Sequence, residues 1–325
     1  MLISTELEAL RSNDAPQRRA QAKLNLKLAQ WREQEAIKAI ESEVHRFGSG
    51  EPLTALPNLS GLFASGNPAA RNFASDLTAV FAAGLNDQPL ALAPFRHFSD
   101  GTISNLLVFG TKRASLMLQA IDGQALRRRE AASNASFTPG ETWENVLSGT
   151  ADADLVRIAG PRPEGVVLNG EPITLAPGKV SHRDGNREAL VLRSVPTSLV
   201  TLKLQVRDAA WAVAREFRLS DGSQIHQATV SSRESRLELA AALLGRMGRS
   251  DAAPLLAAMA EERGSQSLRW QALKECIGLD SAAGFTSLCR IAARTDDPLA
   301  VPAGALRAQL IETYPQLLEL TRCQG

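Results

Sequence analysis

Three rhythms of apolar and polar residues divide the chain. From Pro16 to about Phe47, the apolar positions Ala22, Leu26, Ala29, Ile37, Ile40, Val44 and Phe47 share one stripe at helical spacing. They predict one long helix, with Asp14 as its cap and Pro16 in its first turn. A second stripe, Ala20, Leu24, Leu28 and Trp31, makes the first half apolar on two sides. Such a helix meets two neighbours in its own fold, or one neighbour and a partner chain, so a homo-oligomer built through it is compatible with the pattern. Gly48 to Pro52 ends it, and a shorter helix is predicted around Ala69 to Ala83.

After Gly84 the period shortens. Val200 to Val206 (VTLKLQV) alternates strictly, the period of a half-buried strand. Similar candidates are Leu90 to Phe98, Leu106 to Phe109, Ser115 to Ile121, Leu155 to Ile158, Val166 to Leu168, Pro172 to Leu175, Leu190 to Val195 and Ala214 to Leu219. The turn signals Asp100-Gly101, Asn169-Gly170, Asp184-Gly185 and Asp221-Gly222 separate them. Short strands at this spacing, with no helices between them, predict an antiparallel sandwich or barrel.

From Ser231 the helical period returns. Helices are predicted from Ser232 to about Met247, Ser250 to Arg263, Ser265 or Ser267 to Ile277, Asp280 to Arg294, Pro302 to Glu312 and Pro315 to Arg322. The series Ala242, Leu243, Met247, Gly248, Ala252, Ala253, Leu255 recurs 30 residues later as Ala272, Leu273, Ile277, Gly278, Ala282, Ala283, Phe285. Recurring small-residue pairs with a glycine at each helix end are the signature of stacked helical hairpins. The region resembles compact HEAT-like repeats, with a shorter period than is usual for that class. The resemblance implies a concave surface along which a protein or peptide partner lies. On that surface Arg246, Arg249, Arg269 and Arg290 are the candidates to meet acidic groups of the partner. The expected fold is α+β multidomain: an N-terminal helical region over 1–84, an all-β sandwich or barrel over 85–228 and stacked helical hairpins over 229–325.

Lys+Arg 36 against Asp+Glu 35 leave a net charge of +1, so no global field draws the chain to nucleic acid or an anionic membrane. Arg127 to Arg129 is the one dense basic run and reads as a solvated loop. The first 14 residues lack the pattern of a secretory signal, and no stretch is apolar enough to span a membrane. Cys276, Cys289 and Cys323 show no CxxC spacing, which fits small buried hydrophobes in a reducing cytoplasm. Phosphate-binding loops, nucleophile elbows and HExxH helices are missing from the sequence.

The segment from Pro177 to Glu188 is where chemistry concentrates. Its proline-glycine turn, followed by His182, Asp184 and Glu188, weakly resembles the first motif of cupins, with Asp184 standing where that motif has its second histidine. The resemblance implies a small β-barrel in which these three residues and His226, on a later strand, hold iron, manganese or zinc. Asp184-Gly185 is also a hairpin signal, which would leave His182 at a strand end in solvent. Two functions follow as expectations. The first is a non-catalytic scaffold or adaptor for a protein or peptide; the second is a cupin-type metal-dependent enzyme or small-molecule sensor.

Overall fold

A computed structural model of the chain describes residues 13–163, 165–207, 213–229 and 232–317. Trp211, Cys323 and the end of the last expected helix lie outside these residues. Two compact units emerge, the first drawn from residues 1–208 and 216–225, the second from 209–215 and 226–325.

The first unit opens with two helices where one was expected: α1 (Ala15–Arg32) and α2 (Glu35–Gly48). On a continuous helix the stripe Leu24 to Trp31 and the stripe Ile37 to Phe47 would point to opposite sides. The break at Gln34 (φ −59°, ψ 133°) lets both stripes enter one core, and it leaves Leu26 60% exposed. Asp14 does not cap α1 but pairs with Arg18. The helices α3 (Pro57–Gly61) and α4 (Ala69–Asp87) follow.

Twelve strands are described. β1 (Arg96–Ser99), β2 (Ile103–Gly110), β3 (Ala114–Asp122), β5 (Gly140–Ser148), β8 (Val180–Asp184) and β10 (Ser198–Arg207) form one sheet in the order β1-β2-β3-β10-β5-β8. β6 (Ala151–Arg162), β7 (Gly165–Leu175) and β9 (Glu188–Ser194) form a second, ordered β7-β6-β9. β4 (Asn134–Phe137), β11 (Val213–Arg218) and β12 (Gln224–Thr229) form a third, ordered β12-β11-β4. Pairing in the first two sheets is antiparallel throughout, as the alternation implied. A short helix, α5 (Gly123–Arg127), carries the start of the basic run; Arg127 donates to the carbonyls of Val195 and Pro196, and Arg129 pairs with Asp100.

Three of the four turn signals lie at turns. Asn169-Gly170 instead lies inside β7, opposite Arg157 and Val156 of β6. Pairing with the long β6 overrides the local preference and joins two expected strands into one. The 1–84 segment, expected as a helical region of its own, shares its core with the six-stranded sheet: Trp31, Phe47, Phe73 and Leu77 are buried with Phe109, Leu116, Leu202 and Leu204.

The second unit holds α6 (Ser232–Arg246), α7 (Ala253–Glu261), α8 (Gln266–Leu279), α9 (Ser281–Ala292) and α10 (Ala300–Thr313), close to the expected boundaries. Ser265 caps α8, and Asp280 caps α9 by accepting from the backbone N–H groups of Ala282 and Ala283. α6 packs on α8, α7 on α8 and α9, and α9 on α10. The two copies of the 30-residue pattern differ in burial. Leu273 and Phe285 are enclosed at 0% and 1% exposure, whereas their counterparts Leu243 and Leu255 stand 54% and 62% exposed. The repeated glycines differ too. Gly248 has φ +65° just after α6, while Gly278 lies within α8.

Candidate functional site

Residues directly opposite in antiparallel strands point to the same side, so register assigns each side chain of the six-stranded sheet to a face. On one face, Leu204 lies opposite Leu116 and Trp143, and Leu202 opposite Leu118 and Asn145. Helices α1, α2 and α4 cover this face, and Asn145 satisfies itself there by donating to the Leu62 carbonyl at 2.8 Å.

The other face is polar at its centre. Lys203 lies opposite Glu144 and Met117, Gln205 opposite Thr142 and Ser115, Arg183 opposite Thr142, and Thr201 opposite Gln119. Lys203 Nζ donates to Glu144 Oε1 at 3.2 Å, and Arg183 Nη2 donates to Glu144 Oε2 at 2.5 Å. The side chains of Glu144, Arg183 and Lys203 are only 8%, 9% and 17% exposed. Burial pushes the Glu144 carboxyl up, but Lys203 and then Arg183 outweigh it and hold the group below its ordinary value. Towards one end this face turns apolar, with Ile121, Val146 and Leu199 buried in a smaller core.

The expected metal ligands do not converge. His182 lies opposite Trp143 and stacks on it with ring centroids 4.5 Å apart, which places it on the face of Leu204, not of Arg183. Its side chain is half exposed, with Nε2 3.8 Å from Glu141. Asp184 closes the β8–β9 turn by accepting from the backbone and side-chain nitrogens of Asn186. Glu188 accepts from Arg157 Nε at 2.8 Å, and His226 is exposed on β12. Among the described residues no three His, Cys, Asp or Glu gather as a group that could hold a metal ion. The described residues therefore do not fit a metal centre at this place. The physical reason is a register shifted by one residue: 181 and 183, not 182 and 184, face Glu144.

The four arginines of the helical unit divide. Arg269 is buried at 5% exposure, donating to the Ala260 carbonyl and pairing with Asp297, so it is closed to a partner. Arg290 pairs with Glu261 and Arg249 with Asp251 at the surface. Arg246, at the end of α6, is exposed. Cys276 and Cys289 are free thiols, both pushed up by burial.

Glu144, Arg183 and Thr201 were not singled out by the sequence reasoning. Their signal is double alternation: Trp143, Asn145 and Leu147 interleave with Thr142, Glu144 and Val146, much as Leu202 and Leu204 interleave with Thr201 and Lys203.

No family model matches the sequence, and no curated protein matches it. Similar solved structures include a cupin superfamily protein from Desulfitobacterium hafniense, 15% identical, covering 37% of this chain and 86% of that one, with TM-score 0.23. They also include Streptomyces albus HEPD with Fe(II) and 2-hydroxyethylphosphonate bound, 13% identical over 36% of this chain and 25% of that one, TM-score 0.28. A third is hydroxypropylphosphonic acid epoxidase from S. wedmorenis, 11% identical over 34% and 55%, TM-score 0.25. Cupin and double-stranded β-helix proteins recur among these neighbours. At these identities and scores the likeness carries no activity to this chain.

Proposed function

We propose that the chain is a non-catalytic adaptor that holds an amphipathic helix of a protein partner on the open end of its helical unit. The observation that carries this reading is the exposure of Leu239 and Leu243 on α6, of Met247 just past its end and of Leu255 on α7, while Leu273 and Phe285, thirty residues after Leu243 and Leu255, are enclosed. An end repeat of a helical stack normally turns a polar face outward, and one that stays apolar needs a cover. Positions 239, 243 and 247 lie four apart, the spacing at which one helix meets another. The exposed Arg246 beside them suits an acidic residue on the partner. The HEAT-like reading of this unit is supported by the packing of α6 on α8 and α7 on α9, helices one hairpin apart.

A photo-crosslinking residue at position 243 of the full chain identifies the partner in cells, and its helix is then titrated against purified protein. Leu243→Asp with Leu255→Asp is expected to weaken binding at least tenfold with an unchanged circular dichroism spectrum. Equal binding by this variant overturns the reading. So does light scattering that finds the wild type dimeric and the variant monomeric, because a second copy is then the occupant.

A further inference from the structure

At the centre of its polar face the six-stranded sheet carries two positive charges against one negative charge, and a buried hydroxyl without a partner among the described residues. Glu144 supplies one negative charge; Arg183 and Lys203 supply two positive charges around it, and all three side chains are largely removed from water. Lys203 has three N–H donors, of which one meets Glu144 Oε1. Arg183 has five, of which Nη2 meets Glu144 and Nη1 meets Ser181 at 3.3 Å. Thr201, two residues from Lys203 on the same face, is 3% exposed, and its hydroxyl has no partner among the described residues. A buried hydroxyl without a partner costs about 1–3 kcal/mol, so Thr201 beside the Lys203 ammonium calls for an acceptor. Thr142, Gln205, Gln119 and Met117 around it each keep part of their surface in solvent.

From this we infer that the polar face of the six-stranded sheet is a binding site for a small organic carboxylate, held by Lys203 and the Thr201 hydroxyl two residues away, with Arg183 pairing Glu144 and leaving the Lys203 charge to the ligand. One excess positive charge matches one carboxylate, and charge-assisted N–H···O bonds are the strong kind. The site is independent of the open end of the helical unit.

Calorimetric titration of the full chain with sodium acetate, lactate and pyruvate, each beside sodium chloride at equal ionic strength, tests it. Saturable heat with at least one carboxylate and none with chloride is expected. Thr201→Val, which keeps shape and removes the hydroxyl, lowers that affinity roughly tenfold, the loss of one buried hydrogen bond. Lys203→Met abolishes it. Glu144→Gln removes the competing anion and tightens binding by about tenfold or more, the opposite of what a purely structural ion cluster would do. No saturable heat in the wild type and Glu144→Gln alike overturns the inference. Heat of the same size with chloride, or affinity untouched by Thr201→Val, overturns it as well.

Discussion

The two faces of the six-stranded sheet are built from the same strands and differ by one residue of register. Leu202 and Leu204 are sealed under helices, and Lys203 between them reaches an ion cluster on the opposite side. The first face follows the rule that apolar area removed from water stabilises, roughly 25 cal/mol per Å². The second carries charges whose desolvation cost is offset only by their mutual pairing. Neither face is simply a solvent face, so strict alternation here separates a dry core from a polar interior.

Substitutions that cross this divide should have the largest effect. Exchanging neighbours, as Leu202→Lys with Lys203→Leu, puts an ammonium beneath the helices and is expected to abolish cooperative unfolding by urea; a surviving transition would mean that the faces are interchangeable. Next comes Glu144→Ala, which leaves two cations without their anion and should cost about 3–5 kcal/mol in the same assay. A loss below about 1 kcal/mol would show that the cluster is solvated. Acid reaches the same group more gently. Because folding holds the Glu144 carboxyl below its ordinary value, its stabilisation is complete above the unfolded carboxylate range, about 4. It is lost as pH falls through the lower folded value. Thermal unfolding followed down the acid limb should show this loss in the wild type and a flatter curve in Glu144→Gln. The smallest effect belongs to His182→Ala, next to Arg183 but on the other face. Losing its stack on Trp143 should cost about 0.5–1.5 kcal/mol and leave the acetate titration unchanged. A change in that titration would place His182 at the inner cluster.

Most of the helical unit was legible because its signals are local. The caps Ser265 and Asp280 and the small-residue pairs each act within a few residues of themselves. The break between α1 and α2 was not, since Glu33 and Gln34 are ordinary helix residues, and only the need of both stripes for one core reveals it. β5 and β8 were missed for a related reason. Glu144, Asn145 and Arg183 read as surface in one dimension, and only pairing with β10 and β8 across the chain turns them inward. The ligand positions inferred from the cupin resemblance depended on the phase of β8, which the Asp184-Gly185 turn sets and the resemblance does not.

The strand lengths of the six-stranded sheet taper toward both rims: β1 has four residues and β8 five, against eight to ten in β2, β3, β10 and β5. A sheet's outermost backbone is its adhesive margin, where a foreign strand can add itself and begin a fibre. Here that margin is cut short on both sides, and β1 presents Arg96 and His97 to water. In a crowded solution the shape alone discourages sheets of neighbouring molecules from growing into one another.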